Sequence, residues 1–155
     1  MNILFASSEV APFIKTGGLA DVAGSLPQAL AKQGHDVRVI LPLYERIGQD
    51  WRDQMTYLQN FNVHLGWRTP YCGIFELKRD GVTYYFVDNE YYFKRYDIYG
   101  HFDDAERFAF FSRAVIETPG HLDFWPDVIH CNDWQTALVP IYLLRERNLV
   151  PELKG

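Results

Sequence analysis

The 155-residue sequence has little of what marks a specialised protein class. It holds two cysteines, Cys72 and Cys131, too few for a disulfide framework and not spaced as a CxxC pair. Neither a disulfide-built fold nor a structural zinc site is therefore expected, and both thiols read as reduced. Clustered basic residues are missing as well. Fifteen Lys and Arg stand against 20 Asp and Glu, and the net charge of −5 speaks against a general affinity for nucleic acid or an anionic membrane. It does not exclude one small anionic ligand held in a local positive pocket. No stretch approaches the roughly eighteen apolar residues that a membrane helix needs. The opening apolar run, Asn2 to Phe5, soon meets Ser7, Ser8 and Glu9, unlike a signal peptide. A cytoplasmic protein without membrane or nucleic-acid partners is expected. Repeats, low-complexity tracts and linkers are also absent, and the length suffices for one domain with its own core.

What is present is a pattern of alternating strands and helices. Ile3-Leu4-Phe5-Ala6 reads as a buried parallel strand. After a loop holding Pro12, Lys15, Gly17 and Gly18, the residues Leu19, Val22, Leu26, Ala29 and Leu30 recur at helical spacing. Gly34 is the expected stop, and Pro27 predicts a kink or a restart inside the helix. Val37 to Leu41 is the next strand, ended by Pro42. Strand, glycine loop, helix and strand within about forty residues form a βαβ unit. Thr56–Val63 and Gly73–Lys78 read as further strands, and Asp80-Gly81 as a hairpin turn into a strand over 82–87. Asp103 or Asp104 is expected to cap a helix, with Glu106 completing a capping box and Phe108, Phe111 and Val115 forming its apolar stripe. Asp127–Cys131 reads as another buried strand, followed by a helix with Leu138, Ile141, Tyr142 and Leu144 facing inward and Pro151 stopping it. The fold expected is α/β: a Rossmann-like, mostly parallel sheet flanked by helices, cut off in mid-fold at Gly155.

Three groups of residues have the chemistry of a site. Lys15-Thr16-Gly17-Gly18 lies between the first strand and its helix, at the carboxyl edge of the sheet, where open α/β folds bind ligands. Its glycines allow close backbone approach, the helix start offers unpaired N–H donors, and Lys15 adds a full charge, which together suit a phosphate. The spacing matches neither GxGxxG nor GxxxxGK[ST], so a conventional dinucleotide or ATP site is disfavoured, and a plain glycine turn with a solvated lysine stays open. Asp21, in the first helical turn, reads first as an acid stabilised at the positive helix end, and on physics alone only more weakly as an acceptor for sugar hydroxyls. His130-Cys131-Asn132-Asp133-Trp134 ends a second parallel strand, where Asp133 is either a helix N-cap or a site carboxylate. No further cluster at ligand spacing completes a metal site, so none is expected.

The third group follows from an aromatic content of 16%, which is high and concentrated in Tyr84, Tyr85, Phe86, Tyr91, Tyr92, Phe93, Tyr96 and Tyr99. Sugar rings have apolar faces that sit well on aromatic rings, but most of these read as strand and core residues. Tyr99, beside Gly100 and beyond the strand, is the one that stands apart. No Ser-His-Asp or Cys-His set emerges.

The opening Asn2-Ile3-Leu4-Phe5-Ala6-Ser7-Ser8-Glu9-Val10-Ala11-Pro12-Phe13, with Lys15-Thr16-Gly17-Gly18-Leu19-Ala20-Asp21-Val22, closely resembles the start of bacterial glycogen synthases and plant starch synthases. Leu26 to Leu30, Gly34 to Val39, Tyr99-Gly100, Arg107-Phe108, Ser112 to Ala114 and Pro126 to Leu138 fit the same family, in the expected order along essentially the whole chain. The resemblance implies the amino-terminal catalytic half of a two-domain GT-B enzyme. That enzyme would transfer glucose from ADP-glucose to the non-reducing end of an α-1,4-glucan, with retention and without metal or other cofactor. It implies that Lys15 contacts ADP-glucose, that Gly17 and Gly18 form the phosphate loop with Asp21 beside it, and that Tyr99 and Asp133 line the cleft near the transferred glucose and acceptor. Asn132 and Gln135 stand where some members carry histidines. The family's active-site histidine is expected just past Gly155, and its arginine, lysine and glutamate in a second, nucleotide-binding domain absent from residues 1–155. A non-catalytic carbohydrate-binding module is the alternative; a Rossmann oxidoreductase ranks below both for want of the dinucleotide fingerprint.

Overall fold

The computed structural model describes residues 1–146. In chain order the elements are β1 (Asn2–Ala6), α1 (Gly18–Lys32), β2 (Asp36–Pro42), the one-turn α2 (Gln49–Arg52), β3 (Thr56–Asn62), β4 (Tyr71–Arg79) and β5 (Val82–Asp88). The one-turn α3 (Glu90–Phe93), α4 (Asp104–His121), β6 (Val128–Cys131), a 3-10 turn at Trp134–Thr136 and α5 (Leu138–Glu146) follow. One sheet contains all six strands in the order β3-β4-β5-β2-β1-β6. β5, β2, β1 and β6 run parallel, and β4 and β3 add an antiparallel edge. The mostly parallel Rossmann-like sheet is thus as expected. Asp80 and Gly81 both have positive φ, 52° and 78°, as the two-residue hairpin turn between β4 and β5 requires.

Central position explains burial. β1 and β2 are buried nearly throughout because helices cover both faces of the sheet, and Tyr84 and Tyr85 of β5 are buried on opposite sides. β6 departs from the reading as a buried strand: it lies at the sheet edge with Val128 41% exposed. Of the residues expected inward on α5, Ile141 and Leu144 are exposed and Val139 is buried instead. Pro151 lies outside the described residues.

α1 runs unbroken through Pro27, with neither restart nor interruption. Its buried face consists of Ala20, Ala23 and Pro27, while Val22 is half exposed, so the stripe is one of small residues rather than the larger apolar ones. The reason lies in the segment just after β1. Val10 and Ile14 bridge to each other, Phe13 packs edge-on against Tyr84, Phe86 and Trp51, and the Ala11 N–H donates to the Ala20 carbonyl at 3.0 Å. That backbone lies so close to α1 that a Cβ on Gly24 would stand 2.6 Å from the Ala11 carbonyl oxygen. Small residues on α1 therefore let the loop carrying Lys15 lie flat on the helix.

The expected capping box at α4 does not form. The Asp103 carboxylate instead takes both guanidinium nitrogens of Arg95, at 2.5 and 2.7 Å, which holds its pKa below the usual range. Glu106 accepts from the Tyr92 hydroxyl and from Arg68. Both acids thus hold the 90–103 segment against α4 rather than cap its first turn.

The contact at Gly24 predicts an inverted substitution effect. At an exposed helical position Gly→Ala would stabilise by about 1 kcal/mol; Gly24→Ala should instead destabilise by roughly 1–3 kcal/mol, because the backbone of the preceding loop must move. Urea denaturation of the 155-residue chain measures the sign.

Candidate active site

The site is built at the carboxyl end of β1. β1 continues sideways into β2 through α1, whereas β6, on its other edge, is reached only after β5 and α4. The loops leaving β1 and β6 therefore diverge, which opens a crevice at the topological switch point of the sheet. Asn132 ties the two loop starts together: its N–H and its side-chain amide both donate to the Ala6 carbonyl, at 3.2 and 2.9 Å.

On the β1 side, Lys15 is exposed and its Nζ lies 2.7 Å from both carboxylate oxygens of Asp21. With both side chains more than half exposed, this pair contributes little to stability, about 0–1 kcal/mol. Its effect is geometric, because it holds the ammonium beside the opening turn of α1. Gly17 is extended (φ −149°), so nothing in its own backbone demands glycine, and a Cβ on either Gly17 or Gly18 would meet no atom within 4 Å. The space over both glycines is open, and no side chain caps the helix start from Gly17. The N–H groups of the first turn, from Gly18 onward, point toward that space as helix geometry dictates.

Sequence reasoning missed Glu9. Its carboxylate is almost wholly buried, with 3% exposure, and accepts from the Thr16 N–H (2.5 Å), the Gly17 N–H (3.2 Å) and the Thr16 hydroxyl (3.0 Å). It also accepts from the Tyr99 hydroxyl at 3.2 Å, and the same phenol lies 2.6 Å from Ser8 Oγ. An acid placed among small and apolar residues immediately after a buried strand was the available signal. Tyr99 is thereby brought onto the Lys15 loop. Burial pushes its phenol well above the ordinary value, with the negative charges of Glu9 and Asp133 adding to the effect, so it remains a protonated donor. Arg107, fully buried, fixes the segment from behind through the Tyr92 and Ile98 carbonyls and the Asp104 carboxylate.

On the β6 side, Asp133 begins the 3-10 turn and accepts from the Trp134 N–H at 2.7 Å, so its capping reading holds locally. Its backbone, however, sits at φ 62°, ψ −178°, a region populated almost only by glycine. Trp134 is half exposed and leans on Phe108 (centroids 5.0 Å apart) and on Tyr99 (6.1 Å). Lys15, Gly17, Gly18, Asp21, Tyr99 and Asp133 thus gather along one edge of the sheet. The other aromatic candidates divide: Tyr84, Tyr85, Phe86, Tyr92 and Phe93 are core, while Tyr91 and Tyr96 are exposed. Asn132 is occupied with the Ala6 carbonyl, and Gln135 is buried. Among the described residues no three His, Cys, Asp or Glu gather as a possible metal site.

The family model of the starch synthase catalytic domain matches residues 2–154. A glycogen synthase of Clostridium botulinum (strain Eklund 17B / Type B) is 57% identical over 146 residues, which is 94% of this chain and 30% of that protein. One from Bacillus cereus (strain B4264) is 60% identical over 147 residues, 95% of this chain and 31% of the relative. Among solved structures, the catalytic domain of Starch Synthase IV from Arabidopsis thaliana bound to ADP and acarbose superposes with a TM-score of 0.83 at 32% identity. That match covers 97% of this chain and 32% of the plant chain. The chain spans about 30% of the length of the relatives it matches.

Asp133 makes a test of strain possible. At an ordinary loop position Ala is more stable than Gly because it restricts the unfolded chain. At position 133 the order should reverse, with Asp133→Gly more stable than Asp133→Ala by about 1 kcal/mol, since only glycine adopts this conformation freely. Paired denaturation curves of the two variants decide it.

Proposed function

Because the chain belongs to the starch synthase catalytic domain family, we propose that it forms the amino-terminal wall of a cleft in which glucose passes from ADP-glucose to the non-reducing end of an α-1,4-glucan. The observation that carries this reading is the Lys15 ammonium, held by Asp21 beside the open first turn of α1 at the switch point of the sheet. The binding of ADP and acarbose by the Arabidopsis relative supports the same pairing of nucleotide and carbohydrate here.

In this mechanism the bond between the glucose anomeric carbon and the diphosphate breaks, and ADP leaves with the electron pair. The acceptor hydroxyl bonds to the same carbon and gives its proton to the departing diphosphate, and configuration is retained. Charge develops on the leaving diphosphate, so donors fixed in advance lower the barrier. Lys15 and the N–H groups of the first turn of α1 are such donors, and open space over Gly17 and Gly18 lets phosphate come close. Asp21 orients Lys15. Asp133 and Tyr99, a carboxylate and a protonated phenol, bind hydroxyls of the transferred glucose and the acceptor. No metal is required of this wall. Residues 1–155 are part of the amino-terminal domain in this reading; base recognition and the remaining cationic groups belong to a carboxy-terminal nucleotide-binding domain outside this chain. We place the enzyme in the cytoplasm, in keeping with its free Cys72 and Cys131. No helix among the described residues is long and apolar enough to cross a membrane.

Three measurements test the reading. In the enzyme that carries both halves, Lys15→Ala should raise the KM for ADP-glucose by about 10- to 100-fold, the equivalent of a charge-assisted hydrogen bond of about 1.5–3 kcal/mol. Gly18→Ala should also weaken binding, yet not destabilise the fold, because its Cβ points into open space. An unchanged KM in both variants would remove the phosphate role. The 155-residue chain alone should incorporate no glucose from ADP-glucose into glycogen, since one wall cannot surround the transition state; robust incorporation would show that the second half is dispensable.

A further inference from the structure

We propose that Glu9 is a positioning residue that decides which backbone donors the phosphate loop offers and locks that loop to Tyr99. It rests on the phosphate reading of the loop. A carboxylate 3% exposed is stable only if its oxygens are fully met, and here they are met by the loop itself. The Thr16 N–H at 2.5 Å and the Gly17 N–H at 3.2 Å are committed to Glu9, together with the Thr16 hydroxyl. A phosphate cannot share them without displacing one negative group by another. The donors left are those from Gly18 onward, in the first turn of α1, with Lys15 beside them. The loop therefore presents one edge to an anion instead of wrapping it.

Proton accounting carries the second half. Tyr99 has one hydroxyl proton, and Glu9, an acceptor, takes it at 3.2 Å. The short 2.6 Å contact between Tyr99 and Ser8 must then use the Ser8 proton. The chain Ser8 to Tyr99 to Glu9 to Thr16 and Gly17 is thus directional, and a shift of the phosphate loop moves the Tyr99 phenol with it. The nucleotide end and the sugar end of the wall become one body. Glutamine has nearly the same volume, but it has one acceptor oxygen and a pair of donors, so it cannot meet two N–H groups and two hydroxyls in this arrangement.

The 155-residue chain labelled with nitrogen-15 is a direct test, with ADP-glucose as the probe. In the ligand-free protein Glu9→Gln should move the Thr16 and Gly17 amide protons upfield, as bonds to a charged acceptor are lost, while amides of β1, β2 and β5 keep their positions. Tyr99→Phe should move the same two amides by less, and it supplies the measurement should Glu9→Gln fail to fold. On titration of the wild-type chain, Gly18 and Leu19 amides should respond and Thr16 and Gly17 should not. Affinity should fall about tenfold in Glu9→Gln. The proposal is overturned if Thr16 and Gly17 respond to ADP-glucose as strongly as Gly18, or if neither substitution moves them. Failure of the underlying phosphate reading looks different: no amide from 16 to 19 responds to ADP-glucose in the wild-type chain, and the donor assignment falls with it.

Discussion

Everything at the candidate site hangs from the carboxyl end of β1, and β1 is held on both edges by parallel strands, β2 and β6. A parallel strand can be neither extended nor shifted by one residue without breaking both ladders and turning its side chains to the wrong face. The last carbonyl of β1, that of Ala6, is also the acceptor that Asn132 reaches with two donors. Two loops separated by some 120 residues of sequence are thereby set against each other by backbone bonds, before any site side chain is considered.

Charges on this edge fall into two kinds. Lys15 and Asp21 are exposed, and among the described residues their charged groups bond to each other, a pair whose weak mutual hold leaves the ammonium available. Glu9 and Arg107 are buried and bonded to backbone groups: Glu9 to the amides of Thr16 and Gly17, Arg107 to the carbonyls of Tyr92 and Ile98, with the Asp104 carboxylate beside it. Buried charges of this sort are costly to leave half paired, which makes each of them an effective clamp on irregular backbone. One clamp shapes the segment after β1 and the other shapes the segment before α4, and Tyr99 is where the two segments touch.

The alternation of strands and helices was legible in the residues because it depends on local periodicity and turn chemistry. The Asp80-Gly81 hairpin, with its two positive φ values, is the clearest instance. Features decided by distant partners were not legible. The buried face of α1 is Ala20, Ala23 and Pro27, because a loop backbone lies against it, and nothing in the helix reveals that loop. Asp103 has the spacing of a cap, yet Arg95 offers it a stronger, bidentate partner. β6 has the composition of a buried strand but stands at the edge of the sheet among the described residues, because composition reports what a strand can bury and not whether a neighbour is present. Of the candidate site, the Lys15–Gly18 loop could be placed from its position between strand and helix. Glu9 could not, because its partners are backbone amides seven and eight residues away and a phenol ninety residues away.

Asp133 shows how the edge is kept ready at some expense of stability. Its ε-region backbone is held by what surrounds it: Asn132 is bonded to Ala6, the Thr136 hydroxyl donates to the Asn132 carbonyl at 3.0 Å, and Trp134 leans on Phe108. Glycine would meet the conformational demand without strain, so the aspartate side chain must offset that strain in another currency than folding. Its local bond to the Trp134 N–H leaves acceptor capacity on the carboxylate, and Tyr99 stands close enough for the Asp133 charge to raise its pKa. The Asp133 carboxylate thus keeps acceptor capacity on one loop, while the Tyr99 phenol, its proton committed to Glu9, is fixed on another. The rigidity of the edge therefore has its use at the point where β1 ends and the crevice begins.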